Sequence, residues 1–119
     1  MNINERVILL KELQVISRNN YEALNSIINL IENSFSIDLS KENGEMFITH
    51  LSAVFSRDEK GEEINSLDES LLEEIYTNEY YNKAEAILKD IKEKVNYNIK
   101  KAEDSFIILH LCTLLGAVK

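Results

Sequence analysis

Apolar residues recur at intervals of three and four along most of the chain, the period of a helix with one buried face. Val7, Ile8, Leu10, Leu13 and Ile16 form the first stripe. Asn4 is the expected N-cap of this helix, with Ile3 and Ile8 at hydrophobic-staple spacing around it. The polar run 17–20 either breaks the helix, with Asn19 and Glu22 as a capping box, or bends it. Leu24, Ile27, Ile28, Ile31 and Phe35 make the second stripe, to about Asn33. After a connector over 34–39, Ser40 is the expected N-cap of a helix reaching about Arg57, with Gly44 an unfavourable residue inside it. The charged stretch 58–65, which contains Gly61, reads as a loop. Ser66 and Glu69 make a capping box for a short helix over 67–76, with Leu71, Leu72 and Ile75 inward. Thr77 or Asn78 caps the next helix. Its apolar face is Tyr81, Ala84, Ile87, Leu88, Ile91 and Val95, and its other face carries i,i+4 pairs such as Glu85 and Lys89. The last helix, about 100–117, is apolar nearly all round from Phe106 onward, which places it centrally or in a subunit interface.

These stripes repeat at an offset of 60 residues. Tyr21 pairs with Tyr81, Ile27 with Ile87, Ile28 with Leu88, Ile31 with Ile91, Leu39 with Ile99 and Phe47 with Ile107. The chain's two histidines, His50 and His110, fall on equivalent positions, and each is followed by leucine. A degenerate two-fold repeat predicts an all-α fold: a compact bundle of five helices, built as two pseudo-repeated helix pairs and a short middle helix, with an extra N-terminal helix. At 119 residues a single domain is expected, with 1–18 as the N-terminal helical extension and 19–119 as the core module.

Composition narrows the function classes. There is no proline, glycine occurs three times, and 45% of residues are hydrophobic, which favours a packed helical domain over a disordered one. A net charge of −8 argues against direct nucleic-acid binding, because phosphate backbones require clustered Lys and Arg. The single cysteine, Cys112, sits in the most apolar segment and reads as a small buried hydrophobe. The longest apolar run, 106–118, is too short to span a bilayer and no signal peptide is visible, so a cytoplasmic protein with no membrane association is expected.

His50 lies among Met46, Phe47, Ala53 and Val54, and His110 among Phe106, Ile107 and Leu114, so both imidazoles emerge from apolar faces. For either ring alone, core packing is the ordinary reading; their equivalence in the repeat argues for a role. Imidazole chemistry offers general acid/base work, metal ligation or capture of a phosphoryl group. The chain has no H-E-x-x-H and no G-x-S-x-G, and a zinc site built on two histidines and a glutamate such as Glu103 is weakly supported. No enzyme activity, metal or cofactor is implied. Arg57, two turns after His50 on roughly the same face, is placed to attend a phosphate.

The block F-I-T-H-L-S-A-V-F-S-R, the loop with Gly61, Tyr81 and Ala84 ahead of a long amphipathic helix, and E-D-S-F-I-I-L-H-L at 103–111 together resemble the PTS regulation domain, or PRD. The resemblance spans about 15–119. It implies a five-helix bundle in which the first and fourth and the second and fifth helices pair. It also implies homodimerisation and phosphorylation on histidine by the phosphocarrier protein or a sugar-permease component of the bacterial sugar phosphotransferase system. By position, His50 and His110 are the phosphoacceptor candidates, and Arg57 and Glu103 match supporting motif positions. Thr49 stands where the family often has aspartate. With no nucleic-acid-binding head in the sequence, such a module would act through dimerisation or a partner. The alternative is an acidic helical protein-binding module, an immunity-type inhibitor or adaptor, with structural histidines.

Overall fold

Each apolar stripe becomes a helix. The computed structural model describes residues 3–12, 15–40, 42–62 and 69–117. They form α1 (Ile3–Glu12), α2 (Arg18–Asn29) continued by a π-helical turn (Leu30–Ser34), α3 (Glu42–Lys60), α4 (Glu69–Tyr76), α5 (Tyr81–Lys94) and α6 (Lys101–Ala117). No strand occurs among the described residues. The radius of gyration is 13.8 Å, close to the roughly 13.5 Å expected of a single compact domain of this length.

The first helix differs from its sequence reading in detail. Asn4 lies inside α1 rather than before it, and Ile8 is 40% exposed, so the staple does not form. The inward face is set by Ile3 and Val7, both buried, and Ile8 falls about 100° further round the helix. α1 packs on α2, and Ile3, Val7 and Ile16 belong to the same core as the later helices. The described residues therefore form a bundle of six helices in which α1 shares the core, rather than five helices with an appendage. The polar run does break the helix, but Ser17 is the cap: its hydroxyl accepts from the Asn20 backbone N–H at 3.0 Å. Asn19, the expected cap, is exposed inside α2.

Asn20 is completely buried and ties α2 to α3, its amide donating to the Ser52 carbonyl at 3.0 Å and to the Ser56 hydroxyl at 3.2 Å. After the π-helical turn, Ser36 adopts φ +55° and the Ile37 N–H returns to the Ile31 carbonyl at 3.2 Å, which turns the chain sharply toward α3. Here Gly44 acquires a reason. A Cβ on it would lie 2.2 Å from the Leu39 carbonyl oxygen, so the close passage of backbone over α3 requires glycine. The cap expected at Ser40 borders residue 41, and the capping box of Ser66 with Glu69 rests on residue 66; residues 41 and 66 both lie outside the described residues. α3 runs to Lys60, three residues past Arg57.

In the second half, Ile75 is the buried residue of α4, whereas Leu71 is 40% exposed. Thr77 and Asn78 act in the turn rather than as a side-chain cap of α5. The Thr77 hydroxyl donates back to the Glu73 carbonyl, and the Asn78 side chain accepts from the Tyr80 N–H. Glu85 accepts from the Tyr81 hydroxyl, a bond that pushes the tyrosine up to about 12. α6 is central: it packs on α3, α5 and α4 and buries Ile107, Ile108, Leu111, Cys112, Leu114 and Leu115. Burial raises the Cys112 thiol above its ordinary value, as befits an inert core residue.

Burial follows the 60-residue offset. Ile27 and Ile87, Ile31 and Ile91, Phe47 and Ile107, and Leu51 and Leu111 are all fully enclosed. α3 packs extensively on α6, and α2 touches α5.

Candidate functional site

Two polar pairs bridge the seam between α3 and α6. Arg57 of α3 meets Glu103 of α6, and His50 of α3 meets His110 of α6. Moving seven residues back along α3 thus corresponds to moving seven forward along α6, so the helices run antiparallel. The two pairs stand two turns apart, about 10 Å along the seam.

The first pair is closed. Arg57 Nε donates to Glu103 Oε2 at 2.8 Å, and a terminal guanidinium nitrogen donates to Oε1 at 3.0 Å. The side chains are 24% and 6% exposed. This fork occupies both carboxylate oxygens and commits the arginine. Arg57 shares a helix face with His50, and its hydrogen-bond partner is Glu103. The same bond removes Glu103 from any ligand set with the histidines.

The second pair is open. The imidazole centroids of His50 and His110 are 4.8 Å apart with the rings tilted by 32°, and Phe106 packs against His50 at 5.9 Å. His50 Nε2 is buried with no hydrogen-bond partner, whereas no such nitrogen falls on His110. Burial, then the neighbouring His110, lowers His50 to about 4; Glu103 works in the opposite direction and Arg57 lowers it further. Burial also lowers His110. Burial thus favours the neutral form of both rings, in which each imidazole has one nitrogen lone pair.

The rings face a groove of about 520 Å³. α3 lines it with Glu45, Met46, Thr49, His50 and Ala53, successive positions of one helix face, and α6 contributes His110. α1 adds Arg6, a residue that sequence reasoning did not select. A signal was present: Arg6 stands three residues after Ile3 and four before Leu10, a charge inside an apolar stripe. Thr49, in the position before the first histidine, brings no carboxylate here, but Glu45 one turn earlier does. Among the described residues, no group of three or more His, Cys, Asp or Glu side chains is disposed to hold a metal ion. No helix among them is long and apolar enough to cross a membrane.

A family model for the PRD domain matches residues 25–113, which contain both histidines, Arg57 and Glu103. The chain is also similar to the uncharacterized protein YhfY of Escherichia coli (strain K12), 24% identical over 106 residues that cover 89% of this chain and 88% of that protein. No solved structure matches. The chain belongs to the PRD domain family.

Proposed function

We propose that this protein is a regulatory domain of the bacterial sugar phosphotransferase system that accepts phosphoryl groups on His50 or His110 and signals through dimerisation or a partner. The observation that carries the reading is the pair of neutral imidazoles, 4.8 Å apart on one groove, in a chain of this family. An acceptor of this kind needs a free ring nitrogen, while the donor supplies most of the chemistry. The lone pair of an imidazole nitrogen attacks phosphorus, and the bond from phosphorus to the donor side chain breaks, its electron pair leaving with the donor. The charge left on the acceptor ring is relieved by loss of the proton on its other nitrogen to solvent.

The product places a dianionic group beside a second imidazole and against Met46 and Ala53. A charge so placed favours protonation of the neighbouring ring and disfavours close apolar contact, so it biases the α3–α6 seam or a surface that covers it. Incubation with the general enzymes of the phosphotransferase system and phosphoenolpyruvate, then intact-mass measurement without acid, tests the proposal. A phosphate-sized adduct that disappears in His50→Ala or His110→Ala is expected. No adduct with any cognate donor would overturn the reading.

One observation favours a second reading, an acidic helical binding module with structural histidines: His50 Nε2 is enclosed. Its mark would be unmodified histidines, together with partner binding that survives replacement of both.

A further inference from the structure

Arg6 is the unexplained residue of the groove. It comes from α1, outside residues 25–113, so no family motif position accounts for it. Its Nε is buried and has no hydrogen-bond partner. A guanidinium is always charged, and with Nε enclosed and unbonded the terminal nitrogens are the donors left to meet a ligand in the groove that Arg6 lines. The carboxylate that lines the same cavity, Glu45, does not satisfy that nitrogen. The other basic side chain near the histidines along the seam, Arg57, is held by Glu103.

From the shared groove and a guanidinium that no carboxylate among the described residues neutralises, we infer that Arg6 holds an oxyanion against His50 and His110. The ligand class is a tetrahedral, doubly charged oxyanion: the phosphoryl group once it is on a histidine, or inorganic phosphate as its free equivalent. This deepens the phosphoacceptor reading and rests on it for the identity of the anion. The pieces are complementary. Two neutral rings supply nitrogen atoms but no positive charge, and a planar fork of N–H donors supplies both charge and geometry for phosphoryl oxygens. Glu45 opposes the anion by like-charge repulsion and limits how tightly it is held. α1 thereby becomes part of the site, and an anion in the groove fastens α1 to the α3–α6 seam.

With two histidines in the chain, NMR of the ring C–H signals of the full-length protein reads the groove directly. Inorganic phosphate, titrated at constant ionic strength, is expected to move both sets of signals saturably. Arg6→Gln should weaken this at least fivefold, Arg6→Lys should retain part of it, and Glu45→Gln should tighten it. Thermal melts check that each variant is folded. In a second arm, enzymatic phosphorylation of wild type and Arg6→Gln should give a phosphohistidine whose lifetime is several-fold shorter in the variant. Phosphate shifts that are absent in wild type, or unchanged in folded Arg6→Gln, overturn the role of Arg6 even if the adduct forms. Conversely, Arg6-dependent phosphate shifts without an adduct from any donor keep the anion site and remove the phosphoacceptor reading.

Discussion

The two bridges across the α3–α6 seam use similar resources to opposite ends. Arg57 and Glu103 are mutually saturated, with each carboxylate oxygen holding a guanidinium nitrogen. His50 and His110 are in ring contact, His50 Nε2 has no hydrogen-bond partner, and neither does Nε of Arg6 beside them. A closed pair fixes the register of two helices, because either partner alone would be a buried charge. An open pair adds little to that register and leaves binding capacity in reserve. Polarity along one seam therefore divides into a part whose hydrogen bonds are satisfied and a part that holds an unbonded imidazole nitrogen. Hydrogen-bond satisfaction, rather than burial, separates them.

The strongest way to break this contrast is at the closed end. Arg57→Met leaves Glu103 unpaired at 6% exposure, and unfolding experiments should show a loss of about 3 kcal/mol. Replacing both residues, Arg57→Met with Glu103→Leu, should recover most of it. A single variant as stable as wild type would mean that the pair does not fix the register. Next, Gly44→Ala forces Cβ against the Leu39 carbonyl and should cost about 2 kcal/mol in denaturant unfolding by displacing the start of α3.

At the open end the sign should reverse. His50→Leu removes a buried nitrogen without a partner, so stability should be unchanged or higher by about 1 kcal/mol, while phosphoryl acceptance at that position is lost. A marked loss of stability would place His50 with the structural pair.

The smallest effect sharpens the same point through pH. Burial and then His110 hold His50 down to about 4, whereas the unfolded chain takes up the proton near the ordinary histidine value of about 6.5. The unfolded state therefore binds more protons between these values. The stability due to neutral His50 is complete above about pH 6.5 and is lost progressively as pH falls toward 4. Melting temperatures across that window should decline more steeply for wild type than for His50→Leu, a comparison that cancels the carboxylates common to both. Equal slopes would show that His50 titrates normally.

Much of this architecture is already in the sequence. Periodicity located every helix among the described residues, and the 60-residue offset marked positions that share burial, such as Ile31 with Ile91 and Phe47 with Ile107. It also placed the two histidines in equivalent slots. Those signals are local or repeated: a 3.6-residue period states which face turns inward, and a repeat states which faces are alike. Neither states which atom of one helix meets which atom of another. Arg57 has His50 on its own face at two turns and Glu103 forty-six residues away, and the helix period alone cannot choose between them. The choice is made where Phe47, Leu51, Ile107 and Leu111 pack, because that interlock sets the register of α3 against α6. The same holds for Gly44, unfavourable by propensity yet required by the Leu39 backbone passing over it, and for Ser17 rather than Asn19 as the cap of α2. Arg6 is the clearest case. In the sequence it is one charge in an apolar stripe; only the packing of α1 into the bundle carries it to the groove that His50 and His110 share.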